Sequence, residues 1–298
     1  MALFSITKCP VCDGEIFKPH ITCVDFFVSR QQFQVHECLR CGFRFTANAE
    51  DEENSGKYYQ SEDYISHSNT SRGLVNRLYK TVRNYMLGRK SYLLKKVSGL
   101  KTGKILDVGA GTGFFANQMR KKQWDVFGTE QNAHAREFAK REFNLQIAET
   151  EELFRMEKQS FDIITLWHVL EHIHRLRENM QAFSELLKPT GRLIIAVPNH
   201  TSYDSAFYGE FWAAWDVPRH LWHFGPEQMK LFGEKYGFHL VSLHTMPFDT
   251  FYVSMLSEKY KNSEMHFLRG IFFGTFFWLK CLVKPEKCSS LVYVFRKG

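Results

Sequence analysis

The sequence predicts a doubly wound parallel α/β sheet with a small cysteine-rich module in front of it and helical additions near its C-terminal end. Three observations carry this prediction. An apolar run at 104–108 ends in a glycine-rich turn that opens a helical segment. Strand-like and helix-like segments then alternate, which is typical of a parallel sheet covered by helices. Two CxxC motifs precede the whole pattern.

The turn after the first strand is the most specific of these signals. Glycines at alternate positions follow the strand-end acid Asp107 and let the backbone pass close to a ligand. A dinucleotide-binding turn has its third glycine at the sixth position, which is Phe114 here, so the spacing argues against NAD. The pattern resembles the first motif of class I S-adenosylmethionine (SAM) methyltransferases. That resemblance implies a Rossmann-like, seven-stranded sheet with SAM bound at Asp107, Gly109, Ala110, Gly111 and Gly113.

A second acid supports a nucleoside ligand. Glu130 ends the next predicted strand and follows Asp107 by 23 residues, close to the roughly 20 expected across one strand–helix–strand unit. A carboxylate at this strand end can accept hydrogen bonds from both ribose hydroxyls. We therefore expect Glu130 to bind the ribose of SAM and its neighbour Gln131 to belong to the same cofactor site.

The alternation continues as helix, strand, strand, helix and strand at 133–143, 145–147, 161–166, 178–187 and 192–197. The strings FDIITLWHVLEH and LLKPTGRLIIAVPN resemble the fourth and fifth strands of the same family, so the resemblance spans about residues 104–237. It implies that Ala148 or Glu149 reaches the adenine edge. It also implies that Trp167 and His168 lie beside the methyl donor.

The two CxxC motifs are Cys9 with Cys12 and Cys38 with Cys41. Two such pairs at this spacing predict a zinc ribbon, in which four thiolates hold one structural Zn²⁺. Disulfides are the alternative, but the first residues lack the basic and apolar stretches of a secretory signal. We expect a zinc-ribbon-like module at 1–46, a linker with a tyrosine segment at 47–71, and a methyltransferase domain at 72–298 of a cytoplasmic protein.

This order of parts resembles a group of methyltransferases with a zinc-binding head, some of which methylate nucleotide-linked sugars. Tyr58, Tyr59 and Tyr64 of the linker either fold over the bound ligands or simply pack on the domain. The formal net charge is +7, and the segment 72–96 holds eight Lys or Arg and no acid. We interpret this segment as a solvated helix, with a landing surface for an anionic substrate as the alternative.

The acceptor side is expected in two insertions, 199–225 and 250–288, because loops beyond the strand ends set specificity in open α/β sheets. The string DVPRHLWHF recurs in the methyltransferases that this chain resembles. Arg219 suits either an anion clamp or a structural pin, and His220 either a catalytic base or a structural histidine. The predicted acceptor-binding residues are aromatic or basic: Tyr203, Tyr208, Trp212, Arg219 and His223.

A histidine cluster follows the fourth strand. His168, Glu171 and His172 share one face if this segment turns helically. Quinone-ring O-methyltransferases of similar architecture carry two glutamates and a histidine at matching places and use a divalent metal. His168 replaces the first glutamate, which argues against Mg²⁺, although a softer ion would tolerate the change. We expect the histidines to line the pocket or cap Glu171, with a second metal as the alternative. His168 and His220 are the candidate catalytic bases.

Near the C-terminal end, the apolar stretch 271–283 has only thirteen residues and includes Lys280. A membrane span needs roughly 18, so we expect an amphipathic cap helix followed by a last sheet strand at 291–295. Peripheral membrane contact is the alternative.

These observations predict a SAM-dependent methyltransferase that O- or C-methylates a small or conjugated acceptor: a sugar, a quinone-like compound or a lipid-linked compound. An RNA methyltransferase and a SAM-binding protein without catalysis are the other hypotheses. Nucleic acid is not expected as a partner, because no base-stacking module is recognisable. The oligomeric state stays open.

Overall fold

The computed structural model describes residues 4–59 and 74–298, with side chains from residue 80 onward in the second range. Tyr64 and the rest of 60–73 lie outside the described residues. The chain divides into two compact units. One comprises the described residues of 1–61, 168–177 and 195–293, and the other those of 62–167, 178–194 and 294–298. The domain boundaries at 46 and 71 stay predictions.

The described residues contain ten strands: β1 Phe17–Val24, β2 Gln32–Cys38, β3 Arg44–Thr46, β4 Lys104–Val108, β5 Asp125–Thr129, β6 Phe161–Trp167, β7 Leu187–Pro198, β8 Trp222–His223, β9 Phe238–Thr245 and β10 Ser290–Lys297. They also contain eight α-helices: α1 Leu74–Ser98, α2 Phe114–Lys121, α3 Ala133–Phe143, α4 Leu176–Leu186, α5 Tyr203–Tyr208, α6 Pro226–Lys235, α7 Pro247–Tyr260 and α8 His266–Val283. Short 3₁₀ segments connect several of them.

The larger sheet confirms the predicted α/β class. Its six strands run in the order β5-β4-β6-β7-β10-β9, and β4 is parallel to both β5 and β6. The apolar side chains of β4 and β6 are almost all buried, as expected for central strands with both faces covered. The register sets Asp107 opposite Gly128 and Thr165, which brings the carboxyl ends of the three strands together.

The predicted strand at 145–147 is wrong in one respect, because the structure has only a single parallel bridge there, between Thr129 and Ala148. The side chains of Leu145 and Ile147 instead pack beside Gly113, where an added Cβ would come within 3.2 and 3.4 Å of them. Gly113 has φ +78° and precedes α2, so a side chain there is both strained and crowded. Residues 145–147 therefore pack beside the glycine loop, where a seventh strand was predicted, without forming a strand.

The smaller, four-stranded sheet has the order β1-β2-β3-β8. Antiparallel pairing of β1 with β2 and of β2 with β3 forms the head. β8 adds residues from the 199–225 insertion, with Arg44 opposite His223 and Phe45 opposite Trp222. This insertion therefore completes the sheet that begins near the first CxxC motif.

The C-terminal addition is a pair of packed helices, α7 and α8. A Cβ on Gly270 would lie 2.5 Å from Met255 Cα, and one on Gly274 would lie 2.9 Å from Phe251 Cα. These two glycines therefore allow close backbone approach. The predicted length of the apolar helix is wrong: α8 has 18 residues, because His266–Gly270 joins the helix ahead of the apolar run. Among the described residues, α8 alone is long and apolar enough to cross a membrane by length and composition, and 22% of it is buried.

Candidate functional site

The glycine loop links β4 to α2 and has an open outer face. Gly109, Gly111 and Gly113 have φ of +66°, +54° and +78°. A Cβ on Gly111 would meet no atom within 4 Å, so the chain leaves space above this residue. The N–H of Gly111 donates to Glu130 Oε2 over 2.8 Å, and that of Ala110 donates to the carbonyl of Thr129 over 2.9 Å. These bonds tie the loop to the end of β5.

Asp107 lies under this loop and is buried. Its Oδ1 accepts a hydrogen bond from Thr165 Oγ1 over 2.7 Å. Burial raises the pKa of Asp107 to about 7, although the Thr165 hydroxyl acts in the opposite direction. Asp107 therefore joins β4 to β6 at the carboxyl end of the sheet.

Glu130 directly follows β5, and backbone donors orient both of its carboxylate oxygens. Oε2 accepts from Gly111 and Oε1 accepts from the N–H of Asn132 over 2.9 Å. A carboxylate has about four acceptor positions, so two remain for the vicinal hydroxyls of a ribose. Gln131 is exposed next to it. The arrangement fits the predicted ribose contact.

Arg136 is a residue that the motifs did not reveal. Its Nη1 donates to the carbonyls of Glu130 and Gln131, both over 2.8 Å, and its Nη2 donates to Glu149 Oε1 over 2.8 Å. One guanidinium therefore joins the end of β5 to the bridge at 148, where the Glu149 side chain is 70% exposed. No sequence signal marks Arg136, because its partners are backbone carbonyls and an acid thirteen residues away.

Trp167 closes β6 and packs edge-on against Phe115, with ring centroids 5.4 Å apart. The ammonium of Lys90, from the basic helix α1, lies 4.3 Å from the centre of the Trp167 ring. The indole Nε1 is buried and has no hydrogen-bond partner among the residues that the structure describes. Lys90 was predicted only as part of a basic helix, and the structure places it at the end of β6.

SAM fits this set of residues. The open glycine loop leaves room for the ligand, and Glu130 has free acceptor positions for the two ribose hydroxyls. The unpartnered Trp167 Nε1 offers a donor. When bound, SAM supplies an electrophilic methyl group on its sulfonium. The individual cofactor contacts of Asp107, Gly109, Ala110, Gly111, Gly113, Glu130, Gln131, Glu149 and Trp167 stay predictions.

The histidine cluster lies in the unit that contains residues 168–177. His168 is the next residue after Trp167, has φ +58°, and sits between two carboxylates. Its Nδ1 is 3.3 Å from Glu171 Oε1 and its Nε2 is 3.0 Å from Asp249 Oδ2. Burial lowers the pKa of His168, but the hydrogen bonds with Asp249 and Glu171 outweigh it and raise the pKa to about 10. At neutral pH His168 is therefore a protonated donor rather than a free base.

His172 has the opposite electrostatic surroundings. Its Nδ1 is 3.0 Å from the carbonyl of Arg219 and 3.2 Å from Tyr59 Oη. A carbonyl only accepts, so Nδ1 carries the proton and Nε2 carries the lone pair. Burial and the neighbouring His220 lower the pKa of His172 to about 4. The Tyr59 and Asp249 contacts were not foreseen, since each joins residues far apart in the chain.

Glu171 is at the centre of the cluster and is fully buried. Burial raises its pKa, but the hydrogen bond with His168 and the nearby imidazoles outweigh it and lower the pKa of Glu171. Its Oε2 has no hydrogen-bond partner among the described residues. Ligand atoms of Glu171, His172 and His220 lie within 4.8 Å of one another. One carboxylate and two imidazoles would suit a borderline ion such as Zn²⁺ better than Mg²⁺.

His220 completes this group. Its Nδ1 is 2.9 Å from the carbonyl of Ala214, so Nδ1 donates and the neutral ring keeps its lone pair on Nε2. Nε2 in turn is 3.8 Å from Asp216 Oδ2. An imidazole held in this way can take a proton on Nε2, and the resulting positive charge has Glu171 and Asp216 beside it.

The predicted acceptor residues lie mainly in the interior. Tyr208, Trp212 and His223 are at most 4% exposed, and Tyr203 is half-buried. Trp212 Nε1 donates to Asp204 Oδ2 over 2.8 Å, and Thr46 Oγ1 is 3.1 Å from His223 Nε2. These hydrogen bonds hold the side chains of Trp212 and His223 inside the unit that contains residues 195–293. An acceptor-binding role for Tyr203, Tyr208, Trp212 and His223 stays a prediction.

Arg219 is also buried and fully engaged. Its Nε and Nη2 donate to the two oxygens of Asp216, Nη2 also faces Asp25 Oδ1 at 3.3 Å, and Nη1 donates to the carbonyl of Tyr58 over 3.2 Å. Of the two alternatives from the sequence, this geometry corresponds to the structural pin.

The four cysteines of the head converge as expected. Cys9 Sγ is 3.6 Å from Cys41 Sγ, Cys12 Sγ is 3.5 Å from Cys38 Sγ, and all four sulfurs lie within 4.8 Å of one another. Tetrahedral Zn²⁺ with Zn–S bonds of about 2.3 Å separates its sulfurs by roughly 3.8 Å. The donor set therefore fits one zinc ion.

Side chains from elsewhere in the same unit hold the cysteine loops. Gln228 Nε2 donates to the carbonyl of Cys41 over 2.7 Å, and Arg177 Nη2 donates to that of Cys9 over 3.0 Å. Lys235 Nζ contacts both oxygens of Asp13 at 2.7 Å. Because these contacts fix the loops from α4 and α6, the head is anchored beyond its own sheet.

The parallel sheet, the open glycine loop and the acid that follows β5 match the parts that the sequence predicted from its resemblance to class I SAM-dependent methyltransferases. A family model described as a methyltransferase domain matches residues 79–243, which is more than half of the 298 residues. The chain therefore belongs to this methyltransferase-domain family.

Curated relatives share part of this region. The ubiquinone biosynthesis O-methyltransferase of Alkalilimnicola ehrlichii is 30% identical over 130 residues, 41% of this chain and 53% of that protein. Its counterpart in Pectobacterium carotovorum is 27% identical over 121 residues, 38% and 51% of the two chains. The chain thus spans about half the length of the curated relatives it matches.

A solved structure resembles a larger part of the chain. Magnesium protoporphyrin IX methyltransferase from Synechocystis PCC 6803, with bound SAH, has a TM-score of 0.55 at 11% identity. The match covers 83% of this chain and 100% of that one. At this identity the likeness shows a shared fold.

Proposed function

We propose that this enzyme transfers the methyl group of SAM to a hydroxyl on a quinone-like aromatic acceptor. The observation that carries the proposal is the buried Glu171 carboxylate with its unpartnered Oε2, grouped with His172 and His220. A phenolic hydroxyl must lose a proton as its oxygen is methylated, and a buried acid–base cluster next to Trp167 in the chain is suited to take it up.

His220 is the proposed proton acceptor. Its Nδ1–H is fixed by the Ala214 carbonyl, which leaves Nε2 to accept the hydroxyl proton. Glu171 and Asp216 then stabilise the imidazolium. His168 holds Glu171 in place through Oε1. Burial and the neighbouring His220 keep His172 neutral by lowering its pKa, and the Arg219 carbonyl fixes its proton on Nδ1. The remaining contribution is to orient the acceptor and exclude water, as methyl transfer from a sulfonium requires.

The acceptor class rests on the curated relatives. Those proteins are ubiquinone biosynthesis O-methyltransferases, and one of them is 30% identical to this chain over 130 residues. Sugars linked to nucleotides are the second acceptor class, because the four-cysteine head resembles that of sugar-modifying methyltransferases. Zn²⁺ is proposed as the structural ion of the head, bound by Cys9, Cys12, Cys38 and Cys41.

The test compares acceptors and two variants. Purified enzyme with labelled SAM is offered catechol-type and hydroquinone-type phenols and, separately, nucleotide-linked sugars. We expect methyl transfer to a phenolic hydroxyl. General-base catalysis contributes roughly 10²–10⁴-fold, so His220→Gln and Glu171→Gln should each lower kcat/KM about 100-fold or more while the Kd for SAM stays unchanged.

His239→Gln is the matched control, because His239 is exposed on β9. Transfer to sugars alone would reject the proposed acceptor, and full activity of both cluster variants would reject the proposed base. Metal content gives a further check: we expect about one zinc per chain. A second ion that is lost in Glu171→Gln would make His220 a metal ligand instead of a base.

A further inference from the structure

Helix α8 presents an exposed apolar face. Eight large apolar side chains on it are between 40% and 82% exposed: Phe267, Leu268, Ile271, Phe272, Phe276, Leu279, Leu282 and Val283. Scattered surface apolar residues are ordinary, whereas a contiguous apolar face on a folded chain marks an interaction site. Exposure of this face to water is therefore unfavourable.

The opposite face of α8 is the one packed in the protein. Gly270, Gly274, Phe277 and Cys281 are buried and recur every three or four residues. Leu268 and Phe272 are two residues out of step with Gly270, which is about 200° around a helix. Because the glycines meet α7 at backbone distance, the apolar face points away from α7.

Positive charges border the apolar face, and between residues 265 and 285 the sequence has no acid. Arg269 is bound to Glu258, with Nε 2.7 Å from Oε2. Lys280 Nζ lies 3.9 Å from the ring centre of Tyr203 and 5.4 Å from that of Phe276, and Lys284 follows at the helix end, exposed. Lysines beside apolar rings can bury their stems and keep the charge at a polar boundary.

We propose that α8 is a membrane-docking helix that lies in the headgroup region of an anionic lipid bilayer. Its apolar face would enter the acyl boundary while Lys280 and Lys284 meet lipid phosphates, which is the pattern of interfacial amphipathic helices. An anionic bilayer fits both features of α8, its exposed apolar face and the lysines beside that face. A purely apolar protein partner would leave these lysines without opposite charges.

Lying in the interface is favoured over spanning. α7 and α8 connect β9 to β10, which are neighbours in one sheet, so both ends of the helix pair are tied to the protein. If α8 crossed the bilayer, α7 would have to cross it as well. α7 carries Thr250, Ser254, Ser257 and Glu258 in buried positions, and membrane helices rarely hold an acid there.

The experiment is flotation of the full chain with vesicles at low salt. One vesicle type is phosphatidylcholine alone, and the other contains about one quarter phosphatidylglycerol. We expect stronger flotation with the anionic vesicles, weakened by salt because exposed charges are screened within about 10 Å at 0.1 M ionic strength. Alkaline carbonate should release the protein, as it releases proteins that do not span.

Two variants and a control locate the surface. Phe272→Ser with Leu279→Ser should lower partitioning to both vesicle types at least about tenfold, since each substitution removes a large exposed apolar side chain that the bilayer would bury. Lys280→Gln with Lys284→Gln should lower binding to anionic vesicles about tenfold and leave phosphatidylcholine binding unchanged. Leu231→Ser with Val241→Ser removes two side chains of similar exposure outside α8 and should change nothing.

Each variant must keep its SAM affinity, which reports the folded state independently of membranes. Absence of flotation with anionic vesicles would overturn the proposal, as would equal flotation of the Phe272→Ser, Leu279→Ser protein. If the protein stays on the vesicles after carbonate treatment, α8 spans the bilayer and does not dock on its surface. The native chain could instead sediment as a dimer and fail to bind vesicles. If the Phe272→Ser, Leu279→Ser protein is then monomeric, a second copy of the chain covers the apolar face of α8. Docking of α8 does not depend on which acceptor the enzyme methylates.

Discussion

Glu130→Ala should weaken SAM binding about 100-fold or more. Glu130 already accepts one backbone N–H at each oxygen, from Gly111 and Asn132, and keeps about two acceptor positions for ribose hydroxyls. A hydrogen bond to a charged group contributes about 1.5–3 kcal/mol. Losing two of them costs at least about 3 kcal/mol, and every 1.4 kcal/mol is tenfold in Kd. Alanine also removes the acceptor that fixes the Gly111 N–H.

The measurement is isothermal titration calorimetry with SAM and with its demethylated product. Glu130→Gln keeps one acceptor oxygen and should be intermediate, roughly tenfold weaker than the native enzyme. Glu142→Ala is the control, because Glu142 is exposed on α3 and pairs with Arg141 at the surface. If the Kd of Glu130→Ala stays within about twofold of the native value, the ribose assignment is wrong.

Three further predictions concern the scaffold. Cys38→Ser should reduce bound zinc from about one ion per chain to a small fraction, measured by atomic emission, and lower Tm. Gly113→Ala should destabilise the fold by about 1–3 kcal/mol in urea titrations, because φ is +78° and the new Cβ would be 3.0 Å from that of Ala139. Burial lowers the pKa of His223 well below its ordinary value, so its contribution to stability is present above about pH 6.5 and is lost as the pH falls. Below that pH the cost is about 1.4 kcal/mol per pH unit, and His223→Gln should remove this part of the acid sensitivity in chemical unfolding curves.

Each of these has a clear contrary result. Full zinc content in Cys38→Ser would mean that the ion is held elsewhere, and Cys23→Ser is the control because Cys23 lies outside the four-sulfur group. Native stability of Gly113→Ala would mean that the loop relaxes freely. An unchanged pH slope in His223→Gln would assign the acid sensitivity to other buried groups, of which His200, with a pKa lowered to about 3 by burial, is the first.

The central strands and the glycine loop could be predicted from sequence because their signals are local. An apolar run, an acid and alternate glycines within ten residues determine the β4–α2 turn, and Glu130 follows at one crossover length. The four-cysteine site could be predicted equally well, since two CxxC motifs supply the four sulfur ligands of a tetrahedral ion. In each case the signal lies in short motifs whose residue types and spacing are visible in the sequence.

The contacts that sequence could not supply join distant residues without a motif. His168 contacts Asp249, and His172 contacts Tyr59. Arg136 joins two carbonyls after β5 to the Glu149 carboxylate. A carbonyl partner leaves no trace in the amino-acid types. The length of α8 was underestimated for another reason: apolarity was used to locate the start of the helix, whereas His266 and Arg269 are compatible with helix and precede the apolar run.

Arg219 shows how such a long-range contact bears on the acceptor. A guanidinium suits a phosphate and a structural carboxylate equally, and its partner Asp25 lies 194 residues away in the chain. In the fold, Asp25 and Asp216 both face it, so two carboxylates surround one positive charge in a buried position. Binding a phosphate there would require breaking these pairs and leaving carboxylates buried without a counterion, which is strongly unfavourable. An acceptor that relies on Arg219 for its negative charge is therefore disfavoured, which weakens the case for nucleotide-linked sugars relative to an uncharged aromatic hydroxyl.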